Sequence, residues 1–210
     1  MISMTPPDIF SVVSVDVVAL TYDRAARRVL FAAPERPQDP YRGEIALPGV
    51  VVHSGERLVD AAARALDKVA VPTAPGALGQ LRTFDEPTRD PRGPSLSVAM
   101  WAAWSPFGAP APGGPWFPVD DAPHLAFDHD QILAASRELV AGMLWRDLGL
   151  TRALTGPELT ATDAVAITEQ LTGRVHRGNL NRDLARLPGL VEAGLAHGGR
   201  GRPAKVWRWT

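Results

Sequence analysis

Apolar and β-branched residues run through VVSVDVVALTY (12–22) and RRVLFAA (27–33), and the short polar turn between them predicts a pair of strands. PERPQDPYRG (34–43) is too rich in proline for either regular element and predicts a loop. EIALPG and VVV follow, after which the composition from Glu56 to about Ala70 favours a helix that Pro72 stops. On that helix Leu58, Ala62, Ala65, Leu66 and Val69 share an apolar face. Glu56, Asp60, Arg64 and Asp67 share the other, where i,i+3 and i,i+4 ion pairs are expected. LGQLRTF (78–84) and LSVAMWAAW (96–104) predict further strands, and GAPAPGGP (108–115) a loop. A long helix is expected from about His129 to Gly149, capped by Asp128 or Asp130.

From Leu150 the pattern changes to short helices. Thr160-Ala-Thr-Asp163 has capping-box spacing ahead of Val165, Ile167 and Leu171, so a helix is expected over about 161–172, ending at Gly173. A second, over about 177–187, follows a four-residue connector and stops at Pro188-Gly189. Two alternating runs then flank GGRGRP, the layout of a hairpin with a basic tip. Helix, turn, helix and basic hairpin is the order of a winged helix-turn-helix.

Charge sharpens this division. Residues 174–210 hold eight basic and two acidic side chains, net +6, whereas residues 1–173 hold 14 basic and 21 acidic, net −7. A small positive segment on a negative body is the footprint of a nucleic-acid binder. On the second short helix Leu180, Leu184 and Leu187 form the packing face. Arg177, Asn179, Asn181, Arg182, Asp183 and Arg186 lie off it; Arg is bidentate to guanine and Asn to adenine in the major groove. Arg200, Arg202 and Lys205 on the hairpin suit phosphates or the minor groove. The remaining composition mainly excludes. No apolar run reaches the roughly 18–20 residues that span a bilayer. MISMTPPDIF lacks the pattern of a secretion signal. The absence of cysteine rules out disulfides and thiolate metal sites, so a cytoplasmic location without membrane association is expected. The five histidines lack zinc-site spacing, and no cofactor is expected.

Residues 47–72, LPGVVVHSGERLVDAAARALDKVAVP, resemble the Nudix box, in which glutamates three and four apart on a helix converge on a divalent cation. Aligned on Glu56 and Arg64, the box glycine becomes Val50 and the three core glutamates become Ala65, Lys68 and Val69. An ammonium at position 68 repels Mg²⁺, so the fold is expected to persist without hydrolysis. With the winged-helix order, nearly the whole chain resembles the Nudix-related transcriptional regulators, of which the NAD-metabolism repressors are the best-known group. VVSVDVVALTY, PYRGEIALPG, TFDEPTRDPRGPSLSVAM, LAFDHDQIL and GRGRPAKVWRW carry the likeness.

The resemblance implies an α+β chain: a Nudix fold (mixed sheet sandwiched by helices) over 1–149 and a winged helix-turn-helix over 150–210. It implies a homodimer on a palindromic double-stranded operator, with a small effector, ADP-ribose in the NAD branch or a sugar-derived metabolite in related regulators. Candidate effector contacts are Arg36, Tyr41 and Arg42 in the Pro-rich loop, Arg92 in the DPRG turn and His129. Arginine offers bidentate donors to a pyrophosphate, and Tyr41 a stacking surface. The rival readings are a Nudix pyrophosphohydrolase with an RNA- or protein-binding tail, and a metabolite-binding scaffold with no nucleic-acid role.

Overall fold

The computed structural model describes residues 11–105, 115–196 and 203–210. Its centre is a six-stranded mixed sheet. β1 (Val12–Asp23) runs parallel to β5 (Ser95–Trp104) and antiparallel to both β2 (Arg28–Ala32) and β3 (Gly49–Val51). β4 (Ala77–Phe84) closes one side on β5, and β6 (Trp116–Pro118) pairs with β2 on the other. β6 has no counterpart in the sequence pattern, since three residues that follow a Gly/Pro-rich loop and end in a proline carry too little pattern to predict a strand.

The unbroken apolar run of β1 is explained by burial on both faces. Val15, Val17 and Ala19 pack with Ala61, Ala62 and Ala65 of α1 (Leu58–Leu66), which continues as a 3₁₀ turn, Asp67–Val69. Val18, Leu20 and Tyr22 face the opposite way, onto α2 (His129–Met143), α3 (Leu148–Thr155) and α4 (Ala161–Thr172) through Ile132, Leu150, Leu154 and Ile167. The alanines of α1 let helix and sheet approach closely.

The expected helix from His129 to Gly149 is instead two helices. The first ends at Met143, Leu144 is extended, and Trp145 adopts a left-handed φ of 64°. Two side-chain demands outweigh the continuing apolar period. The Trp145 indole N–H donates to Thr168 Oγ1 at 3.0 Å, and Asp147 caps α3 by accepting from the Leu150 N–H at 3.0 Å. Neither expected aspartate caps α2 through its side chain. Asp128 occupies the cap position, but its carboxylate is held by Arg89, and Asp130 accepts from the Leu125 N–H.

Beyond α3 the chain forms β7 (Glu158–Thr160), α4, α5 (Arg177–Leu184) and the hairpin β8 (Leu190–Leu195) and β9 (Lys205–Trp209), with strand order β7-β9-β8. The Thr160–Asp163 capping box is present, and Gly173 ends α4 at φ 73°. α5 stops at Leu184, three residues before the expected end. Leu159, Ala164, Leu180, Leu184, Leu190 and Trp207 make a core of their own. This is a mixed α+β structure in which a helix-sandwiched sheet is followed by the helix-turn-helix and hairpin of a winged helix.

Candidate functional site

Four of the five residues picked from the sequence as effector contacts meet at one ring that the sequence pattern did not single out. Phe127, in the loop entering α2, lies edge-on to Tyr41 at 4.7 Å and 5.3 Å from the His129 imidazole. The Arg36 guanidinium sits over it at 4.5 Å and that of Arg92 at 5.8 Å. Both Phe127 (φ 61°) and Tyr41 (φ 63°) hold left-handed backbones. Such conformations cost roughly 1–3 kcal/mol each in bulky residues and persist only where surrounding contacts enforce them. Arg42 stays outside the group, exposed and 3.3 Å from Asp39. Two shallow cavities, of about 380 and 340 Å³, lie elsewhere, beside His124 and Arg137 and between Arg152 and Trp209.

Beneath the ring is a buried polar network. Arg89 grips Asp128 with two hydrogen bonds of 2.8 and 2.9 Å and reaches Asp16 at 3.4 Å. Ser97 Oγ donates to Asp16 at 2.5 Å. His129 Nδ1 accepts from the Leu47 N–H at 3.0 Å, leaving Nε2 3.6 Å from Asp16. Burial pushes the His129 pKa down, against the pull of Asp16 and Asp128, so the imidazole is held neutral. Asp16 had a legible signal: it is the one charge inside VVSVDVVALTY. Gly49 is required by it, since a Cβ there would stand 1.9 Å from the Asp16 carboxylate. The glycine this packing demands is therefore one residue before Val50. Arg89 and Phe127 gave no comparable signal, because their partners are remote in sequence.

The box helix does not fit a divalent cation. Ala65 and Val69 are buried in the core beneath the sheet. Lys68 Nζ donates to the Gly49 carbonyl. Glu56, the box carboxylate that remains, accepts two hydrogen bonds from Arg64 at 2.7 Å and one from the His53 N–H at 2.8 Å. Those donors, Arg64 first, hold its carboxyl down at about 2. Arg64 is thus committed to Glu56, and among the described residues Asp60 and Asp67 form none of the expected ion pairs.

On the second unit, Leu180 and Leu184 of α5 are buried while Arg177, Asn179, Asn181, Arg182 and Arg186 are exposed. None of those three arginines forms a salt bridge among the described residues. His176 caps α5, its Nδ1 accepting from the Asn179 N–H at 3.3 Å, a role that the sequence pattern did not reveal. Lys205 is paired across the hairpin with Glu192 at 2.7 Å. Arg200 and Arg202 fall outside the described residues.

No protein-family profile matches the chain. Among solved structures it is similar to NrtR of Shewanella oneidensis. One crystal structure of NrtR, with a 27mer DNA, matches at TM-score 0.77 and 24% identity, over 94% of this chain and 93% of that one. Another matches at 0.75 and 26%, over 94% of each. The NUDIX domain of that protein in complex with ADP ribose matches at TM-score 0.52 and 26% identity, over 65% of this chain and 93% of that one. Among curated proteins, the ADP-ribose pyrophosphatase of Methanocaldococcus jannaschii is 31% identical over 103 residues, 47% of this chain. The chain spans 60% of the length of that relative. The fold is the Nudix fold extended by a C-terminal domain. Within it the chain is NrtR-like.

Proposed function

We propose that this chain is a DNA-binding transcriptional regulator, a repressor in which a Nudix-like body over 1–149 senses a small metabolite and a winged helix over 150–210 reads an operator. The observation that carries it is α5: a helix anchored by Leu180 and Leu184 that presents Arg177, Asn179, Asn181 and Arg182 outward, with Arg186 exposed just past its end, on an otherwise acidic chain. The DNA in the NrtR crystal structure supports the same reading. The effector is a nucleoside-diphosphate sugar of the ADP-ribose kind or a sugar-derived relative, held on Phe127 by Arg36, Tyr41, Arg92 and the loop carrying Arg42, with His129 as support below the ring. A homodimer on a palindromic operator and control of NAD metabolism complete the proposal.

Regulation follows from linkage. A metabolite that binds better to the off-DNA geometry weakens operator binding by the same differential free energy. Hydrolysis is not part of this function, since Ala65, Lys68 and Val69 replace the carboxylates that would hold Mg²⁺. The curated pyrophosphatase relative motivates the contrary reading. A gel-shift titration of the protein's own upstream region, with and without ADP-ribose, tests the proposal beside an assay for Mg²⁺-dependent ADP-ribose cleavage. A shifted duplex released by the ligand is the expected outcome; a shift that no ligand changes would remove the effector half of the proposal, and turnover without a shift would replace the regulator with a hydrolase.

A further inference from the structure

Two cations, Arg36 over the Phe127 ring and Lys68 on the carbonyl of Gly49, which packs against Asp16, form no salt bridge among the described residues. Arg89 is committed to Asp128 and Asp16, and Arg92 is forked onto Asp90 at 2.7 Å. Arg36, by contrast, donates to the carbonyls of Pro40 at 2.8 Å and Gln38 at 3.5 Å, and Lys68 to that of Gly49. Neither forms a salt bridge among the described residues. Their fields overlap. Burial lowers the pKa of both, and the next largest cause is a neighbouring cation: Arg92 for Arg36, opposed by Asp90, Asp16 and Glu44, and Arg36 for Lys68, opposed by Asp16. Positive charge that is partly desolvated and crowded by like charge is stabilised by an anion.

Position also matters. Lys68 stands where the Nudix box has a metal-binding glutamate, so its ammonium puts a fixed positive charge on the box helix in place of a carboxylate. A divalent ion and an ammonium cannot share that place, whereas a phosphate can use the ammonium directly. Phe127, under the Arg36 guanidinium at 4.5 Å, and Tyr41 against it offer ring faces.

We infer that Lys68 and Arg36 bind the diphosphate of a nucleoside-diphosphate ligand directly, with the Lys68 ammonium standing in for the divalent cation, so that ligand affinity at this site is independent of Mg²⁺. The inference rests on the effector reading above and adds to it the means of charge neutralisation.

Isothermal titration of the full chain with ADP-ribose, and separately with inorganic pyrophosphate, in Mg²⁺ and in EDTA tests it. The affinity for ADP-ribose is expected to agree within twofold between the two buffers. Lys68→Ala and Arg36→Ala are each expected to weaken both probes about tenfold, with Lys68→Arg restoring most of the loss; thermal unfolding checks that each variant folds. Pyrophosphate is expected to bind more weakly than ADP-ribose but with the same sensitivity to Lys68→Ala. Binding that requires Mg²⁺, or that ignores Lys68→Ala, overturns the inference while leaving an effector site in place. Failure of the wild-type chain to bind either probe in either buffer overturns both the inference and the effector reading.

Discussion

Single residues decide whether the box helix is an active-site helix or a packing helix. Ala65 is fully buried against β1 and β5, so a glutamate restored there would enter the core and not a metal site. Ala65→Glu is expected to destabilise the fold by about 3 kcal/mol, because a carboxylate would be buried unpaired. Ala63→Glu on the exposed face of the same helix should stay within about 0.5 kcal/mol. Urea unfolding of the two variants makes the comparison, and equal stabilities would mean that position 65 is not packed as described. His129 gives a pH signature of defined sign. Its folded pKa lies below the ordinary value of about 6.5, so below that pH the unfolded chain binds more protons and stability falls. The effect begins near pH 6.5, grows downward until the folded group titrates, and has a slope of at most about 1.4 kcal/mol per pH unit. Asp16, Asp128, Arg89 and Arg36 all act on this imidazole. His129→Gln keeps an acceptor for the Leu47 N–H and should flatten the acid limb between about pH 6.5 and 5. An unchanged slope would remove His129 as its source.

At the scale of elements, the helix α4 is fastened to the central sheet at both ends. Tyr22 Oη donates to Asp163 at 3.1 Å at the start of α4. Near its end the Gln170 amide accepts from the Val29 N–H at 2.9 Å and donates to the Arg27 carbonyl at 2.7 Å. Arg137 of α2 reaches the Gln170 carbonyl at 2.5 Å. β1 therefore carries Asp16 beneath the Phe127 ring and Tyr22 on α4, on the same face. α2 likewise runs from His129 to Arg137. Tyr22→Phe and Gln170→Ala are each expected to lose about 1–2 kcal/mol and to raise amide hydrogen exchange in α4 more than in β5. Uniform exchange across the chain would mean that these contacts do not hold α4. The elements themselves were largely legible, because β1, β2, β4 and β5 fall in apolar or β-branched runs between turn residues, α1 and α4 have an apolar face at helical spacing, and Thr160 and Gly173 are local start and stop signals. What escaped were features fixed by remote partners. The break at Leu144–Asp147 depends on Thr168, the Phe127 cluster on loops 86 residues apart (Tyr41 to Phe127), and the loss of the Arg64 i,i+4 pairs on Glu56 outcompeting Asp60.

For the molecule as a whole, the separation of charge sets how binding to a duplex depends on salt. The body is net −7 and the last 37 residues net +6, so non-specific attraction resides in the tail while the body repels phosphates. Two kinds of contact follow from the placement of its cations. Arg182 lies on the exposed face of α5, free of salt bridges among the described residues, and base reading is the role proposed for it. Arg182→Ala should cost about 1–3 kcal/mol on the operator and little on unrelated DNA. Arg200 and Arg202 belong to the basic hairpin sequence, where phosphate contact is expected, and Arg200→Ala/Arg202→Ala should weaken all duplexes alike. The double variant should also reduce the slope of log K against log salt by about 0.9 for each phosphate no longer neutralised. Lys205 is already paired with Glu192, so Lys205→Ala should reduce the slope least of the basic substitutions. Fluorescence anisotropy with operator and scrambled duplexes over a range of salt separates these outcomes. Equal losses on both duplexes for Arg182→Ala, with an unchanged slope for the double variant, would reverse the roles of helix and hairpin and place phosphate contact on α5.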